Sequence, residues 1–194
     1  MEYRVSREKL LDTLSIWNKY LGKKVRLIAC GGTALTLLNL KDSTKDIDFI
    51  VPKEEEHAYL INKLIDLGYE KVTPCGWSKD ETFIFDLFIG NTIYTTGLLE
   101  SPLEEGNNIP FKEFSNIYIG ILNYYDLIIS KLFRCSRVDL DDCKVLFLNK
   151  REEIDMKKLG ERFNETVKYD VSEERIKKNL EIFIEFLREE GVEV

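Results

Sequence analysis

Apolar positions along this chain follow a mixed pattern through the first two thirds and a helical one thereafter. Near the start, Leu10, Leu11, Leu14, Ile16 and Trp17 give a helical period after the polar opening Ser6-Arg7-Glu8-Lys9, with Gly22 as a terminator. Val25-Arg26-Leu27-Ile28-Ala29-Cys30 reads as a short buried strand stopped by Gly31-Gly32, and residues 33–40 predict a short helix. A second strand is predicted over 46–51, ended by Pro52. A helix over 54–67 follows, with acidic residues in its first turn and Gly68 as its stop. Further strands are predicted near 69–73, over 82–89, over 92–96 after the Gly90-Asn91 turn, and over 117–122.

From Tyr124 the character changes. Leu127, Ile128, Lys131, Leu132 and Cys135 follow one period, and Val145, Leu146 and Leu148 belong to the next segment. Leu180, Phe183, Ile184 and Leu187 stripe a final helix over 172–190, with Ser172 as its N-cap. The expected organisation is an α/β core over 1–122, N-terminal helix included, and a helical region over 123–194 packed on it. No internal repeat or low-complexity linker interrupts it.

Composition narrows the class. At 194 residues, 44% hydrophobic and 32% charged, the chain fits one globular domain or a domain with a helical appendage. No apolar run approaches the ~18 residues that span a bilayer, and the first residues lack the apolar core of a secretory signal. The expected location is the cytoplasm. Cys30, Cys75, Cys135 and Cys143 are irregularly spaced with no Cys-x-x-Cys pair, which argues against structural zinc. A formal charge of −7 argues against a broad basic groove for duplex nucleic acid, while leaving room for a small basic pocket. The only histidine, His57, reads as part of a solvated first helical turn, so chemistry that needs a histidine base is not expected.

Candidate chemistry lies in three acidic residues and a glycine turn. Asp46-Ile47-Asp48 opens a predicted strand, where residues two apart share a face, leaving Ile47 and Phe49 to enter the core. Neighbouring carboxylates repel and resist ionisation, and a divalent cation reverses this. Taken alone, the triplet also fits an exposed turn. Asp86 interrupts the apolar run Phe83-Ile84-Phe85-Asp86-Leu87-Phe88-Ile89. A charge buried there costs several kcal/mol unless compensated. A strand end or an ion pair would also explain it, but a third carboxylate for the same metal cluster explains it better. Three carboxylates can hold two ions about 4 Å apart for in-line nucleotidyl transfer. Gly31-Gly32-Thr33, between strand and helix, lets backbone N–H groups approach a phosphate, although a Gly-Gly pair alone also serves as a tight turn.

In this order, Gly31-Gly32-Thr33-Ala34-Leu35, Thr44-Lys45-Asp46-Ile47-Asp48-Phe49-Ile50-Val51 and Phe85-Asp86-Leu87 resemble the DNA polymerase β-like nucleotidyltransferase superfamily. Lys131-Leu132-Phe133-Arg134, with Asp139 and Asp142, is similar to the pattern of small bacterial and archaeal members related to AbiEii-type abortive-infection toxins. The two blocks span about residues 25–147. The resemblance implies an α+β fold, with a mixed sheet flanked by helices and a helical C-terminal part. It also implies an enzyme that moves a nucleoside monophosphate from a nucleoside triphosphate to a hydroxyl on an RNA end, a protein or a small molecule. Asp46, Asp48 and Asp86 would be the catalytic and metal-binding residues, holding Mg²⁺ or Mn²⁺. Gly31, Gly32 and Thr33 would cradle the β- and γ-phosphates. Lys131 and Arg134 would reach a phosphate, though solvated helix charges fit them equally, and Asp139 and Asp142 fit helix capping or pairing within the fold. No Ser follows the first Gly, so a hydroxyl contact to phosphate falls to Thr33 or Thr36. The final helices would suit a protein partner such as a cognate antitoxin. A glycosyltransferase, which also uses Asp-x-Asp, leaves the glycine turn and Asp86 unexplained. A catalytically degenerate nucleotide-binding module acting through protein contacts is the alternative.

Overall fold

The computed structural model describes residues 4–79 and 83–194. Two compact units divide the chain: one takes in residues up to Thr92 together with Glu100–Leu122, the other Ile93–Leu99 together with Asn123–Val194.

In the first unit, β1 (Val5–Ser6) leads into α1 (Arg7–Tyr20), whose N-cap Ser6 accepts a hydrogen bond from the Lys9 amide. Then come β2 (Val25–Ala29), α2 (Gly31–Leu37), β3 (Ser43–Thr44) and β4 (Ile47–Val51). After them lie α3 (Glu54–Asp66), β5 (Glu70–Lys71), β6 (Gly76–Ser78) and β7 (Ile84–Ile89). The short strands β8 (Thr92–Ile93) and β9 (Thr96–Gly97) pair with each other and fall at and beyond the boundary with the second unit, and β10 (Asn108–Glu113) and β11 (Ile117–Leu122) end the first unit's chain order.

Among the described residues seven strands make one mixed sheet in the order β10-β11-β2-β4-β7-β6-β5. The β11–β2 and β4–β7 pairs are parallel and the others antiparallel. The central strands β2, β4 and β7 are buried along most of their length, on both faces, which is why their sequences run nearly apolar rather than alternating. Ile28, Phe49, Ile50 and Phe85 are fully buried. Trp17 of α1 packs on Phe85 with ring centroids 4.4 Å apart, and its indole N–H donates to the Tyr69 hydroxyl at 3.0 Å.

The second unit is helical, as the late pattern predicts: α4 (Tyr124–Leu132), α5 (Arg137–Asn149), α6 (Met156–Val167), α7 (Glu173–Ile176) and α8 (Lys178–Glu189). α4 contacts α5, α6 and α8, and Leu127, Ile128, Leu132, Leu146, Phe163, Phe183 and Leu187 form its core. Asn123 caps α4 and Asp155 caps α6. Among the described residues no helix is long and apolar enough to cross a membrane.

The mixed sheet with flanking helices and a helical C-terminal part is the α+β class expected. Several details differ from the sequence expectation. The predicted helix over 33–40 starts at Gly31, so both glycines belong to its first turn. The strand expected over 92–96 breaks at Tyr94, which takes φ 50°. The single helix expected over 172–190 divides after Ile176, and Ser172 makes no side-chain cap hydrogen bond. β6, β10 and α6 were not anticipated. Thr82, the first residue of the predicted strand over 82–89, lies outside the described residues.

Candidate active site

β4 and β7 run parallel, in a register that sets Asp48 directly against Asp86. Residues paired this way project from the same face of neighbouring strands spaced roughly 4.8 Å apart. The residues themselves are 5% and 8% exposed, so the pair sits within the protein.

The sequence leaves room for them on both flanks. Gly31 holds φ +55°, and a β-carbon there would lie against the Asp48 Oδ2 atom. Gly76 is the register partner of Asp86 on β6, and a β-carbon there would come within 2.9 Å of Asp86 Oδ1. The neighbouring Cys75 thiol donates to the same Oδ1 at 3.5 Å.

Asp46 stands one residue before β4 and is exposed, so it does not alternate with Asp48 as a regular strand would place it. Its carboxyl is nonetheless crowded. Partial loss of water raises its pKa, and the negative charge of Asp86 raises it further, against a smaller opposing pull from Lys45.

Gly32 and Thr33 complete the turn. A β-carbon at Gly32 would come within 2.6 Å of Thr44 Oγ1. The fully buried Thr33 hydroxyl accepts from the Asp48 N–H at 2.8 Å and donates to the Asp46 carbonyl at 3.3 Å. Thr44 donates to that carbonyl at 2.8 Å. Thr36 donates back to the Gly32 carbonyl at 3.0 Å. Both hydroxyls considered for phosphate contact are therefore occupied within the fold. Cys30, at the N-cap of α2, supplies no side-chain cap hydrogen bond.

Lys131 and Arg134 belong to the second unit. Lys131 is 3% exposed, with Nζ 2.7 Å from Asp142 Oδ2 and 3.8 Å from Asp139 Oδ1. Arg134 donates to Asp139 Oδ1 at 2.6 Å and lies over the Tyr94 ring. Asp139 also closes a capping box with Ser136 at the start of α5. Burial alone would raise the Asp139 pKa, but hydrogen bonds from Arg134 and Ser136 outweigh it and hold the carboxyl below the ordinary range. The Lys131 ammonium thus sits in a buried ion cluster, in which Asp139 both caps α5 and pairs with Arg134 and Asp142 pairs with Lys131.

The first turn of α3 also differs from its solvated expectation. Glu56 is buried and accepts from both the backbone and the guanidinium of Arg26. His57 Nε2 lies 3.2 Å from the Leu87 carbonyl. It borders a cleft of about 630 Å³ that is also lined by Ile61, Lys71, Cys75, Trp77 and Leu87.

Six of the eight candidate residues, Gly31, Gly32, Thr33, Asp46, Asp48 and Asp86, gather in one unit around the β4–β7 pair. Thr44, Cys75 and Gly76 join them and were not singled out from the sequence. The one signal available was the hydroxyl two residues before Asp46, a spacing suited to a local side chain–backbone bond. Oxygen-rich acidic donors suit Mg²⁺ or Mn²⁺, and the flanking glycines admit the two carboxylates where a side chain would collide with them. Among the described residues no group of three or more His, Cys, Asp or Glu side chains is arranged as a ready-formed metal site.

Residues 107–190 match the model of a family described as nucleotidyltransferase of unknown function (DUF6036). The match covers the end of the first unit and most of the second and leaves Asp46, Asp48 and Asp86 outside it. No curated protein matches the chain. Among solved structures, an inferred nucleotidyltransferase from H. pylori superposes with TM-score 0.48 at 16% identity, over 96% of this chain and 97% of that one. An inferred nucleotidyltransferase from Thermotoga maritima gives TM-score 0.45 at 16% identity, over 75% and 96%. ANT(2″)-Ia in complex with adenylyl-2″-tobramycin gives TM-score 0.48 at 11% identity, over 92% and 95%.

Proposed function

We propose that this chain is a nucleotidyltransferase that moves a nucleoside monophosphate from a nucleoside triphosphate to a hydroxyl acceptor at the β4–β7 carboxylates; the family match over residues 107–190 supports the reading. The observation that carries this reading is the direct register of Asp48 with Asp86 between two glycine flanks, with Asp46 two residues before Asp48. Asp46, Asp48 and Asp86 would hold Mg²⁺ or Mn²⁺. Bound there, such ions neutralise triphosphate charge and favour ionisation of an acceptor hydroxyl.

The protein's own groups supply the rest. Gly31 and Gly32 bring the first-turn backbone of α2 up to the carboxylates without side-chain bulk, so that N–H groups line the approach of the β- and γ-phosphates. Asp86 accepts the acceptor's proton on a carboxylate oxygen, while the Cys75 thiol holds its Oδ1. Arg134, with nearly half of its side chain exposed, is the more accessible of the two helix cations.

A catalytically degenerate nucleotide-binding module acting through protein contacts is the second reading. One experiment separates the two. Thermal stability is measured with ATP, GTP, CTP and UTP, each with and without Mg²⁺, on wild type and Asp48→Asn. Ligand at a hundredfold excess over Kd stabilises by about 2.7 kcal/mol. The enzyme reading expects a Mg²⁺-dependent shift for at least one nucleotide, lost in Asp48→Asn. A shift that ignores Mg²⁺ and survives the substitution would favour the binding module. No shift with any nucleotide would overturn both. The nucleotide identified then directs screens of RNA ends, proteins and small molecules as acceptors.

A further inference from the structure

We propose that Thr33 and Thr44 are positioning residues that set the Asp46–Asp48 backbone for metal binding; this rests on the metal-site reading above. Thr33 was expected to contact phosphate, but its geometry assigns the hydroxyl elsewhere. The Oγ1 atom takes the Asp48 N–H at 2.8 Å and gives its proton to the Asp46 carbonyl at 3.3 Å. One hydroxyl therefore spans both acidic residues of the triplet, as acceptor to one and donor to the other. Thr44 donates to the same Asp46 carbonyl at 2.8 Å.

The clamp falls where regular structure gives least support. Asp46 lies outside β4, so the strand ladder does not fix its backbone. β3 is only two residues long, and its pairing with β1 places Thr44 opposite Val5. Thr33 is fully buried and Thr44 nearly so, which keeps water from competing for either hydroxyl. Gly32 admits the arrangement, since a side chain there would collide with Thr44 Oγ1. Through these bonds the start of α2 fixes the spacing of the carboxylate-bearing Cα atoms, and so the geometry a cation meets. Groups that orient metal ligands in this way typically alter affinity about 10–100-fold when removed.

The test is Mn²⁺ affinity, read from the electron paramagnetic resonance of free Mn²⁺ well below the unfolding temperature, with folding checked by circular dichroism. The proteins are wild type, Asp48→Asn, Thr33→Val, Thr33→Ser and Thr44→Val. Thr33→Val preserves shape and deletes the hydroxyl; it is expected to weaken Mn²⁺ about tenfold. Thr33→Ser restores the hydroxyl and is expected to recover most of that loss, which filling the same space alone would not do. Undiminished Mn²⁺ binding in folded Thr33→Val, with binding abolished in Asp48→Asn, would overturn this inference and leave the metal site standing. Wild type that takes up no Mn²⁺ would overturn both. If Thr33→Val does not fold, Thr44→Val decides: weaker binding supports the clamp and unchanged binding overturns it.

Discussion

At Gly31 the backbone holds φ at +55°, and the Asp48 carboxylate fills the space where a side chain would stand. Gly31→Ala therefore meets two penalties. The left-handed backbone costs about 1–2 kcal/mol for a residue with a β-carbon, and the new methyl must displace Asp48. Chemical denaturation should show a loss of at least that size, and Mn²⁺ affinity should fall with it. Unchanged values for both would mean that the turn does not govern the carboxylate. The glycine pair was legible in sequence because its position between an apolar run and Asp-x-Asp admits few roles. Thr33 was legible as important but not in its task, because hydroxyl partners depend on which strand lies alongside. His57 was misread for a related reason: a run of charges suggested solvent, whereas the helix turns its third and fourth residues inward. Burial lowers the His57 pKa from 6.5, with the Leu87 carbonyl pulling weakly the other way. The unfolded chain then binds the extra proton first, so this contribution to stability is lost progressively as pH falls below about 6.5 toward the lower folded-state value. Between about pH 7.5 and pH 5.5, Tm should fall further in wild type than in His57→Gln. Equal falls would show that His57 is not the group responsible.

Among the elements, β4 and β7 were the most legible, because each is a buried run broken by one acidic residue. β10 was hidden by Pro110 and its polar residues, which suit a strand at the sheet edge. β6 is three residues long and too short to show alternation. α6 buries Leu159, Phe163, Thr166 and Val167 at helical spacing, but Gly160 and a polar majority mask the stripe. The pairing of α4 with α5 explains what local reading could not decide about Lys131. Its ammonium lies between Asp142 and Asp139, a contact between helices rather than along one. Lys131→Met removes the central charge and leaves the buried Asp142 carboxylate without it. The expected cost is about 3 kcal/mol, measurable by urea denaturation. A change below about 0.5 kcal/mol would place the lysine among ordinary surface charges.

For the whole molecule, the change from mixed to helical pattern near Tyr124 was readable because it alters the period of every later apolar position. The structural division departs from a simple cut: Ile93–Leu99 groups with the helical unit although it precedes β10 and β11 in sequence. That excursion carries no periodic signal; its Tyr94 and Arg134 meet as ring and guanidinium only in three dimensions. The negative net charge likewise described the chain as a whole and said little of the carboxylate site, where glycines and hydroxyls decide the local arrangement.

The parallel register of β4 with β7 carries a consequence for the kinds of length change the chain can absorb. Turns within residues 52–79 can gain or lose a residue without altering which acid faces which, because the pairing is set inside the two strands. Removing one residue from β7 itself is a different event. It would set a neighbour of Asp86 opposite Asp48 and turn one carboxylate toward the apolar face, since strand side chains alternate. Insertions and deletions across related chains should therefore collect in the connections and spare both strands, as though the acid pair were kept by a fixed count rather than by any one contact.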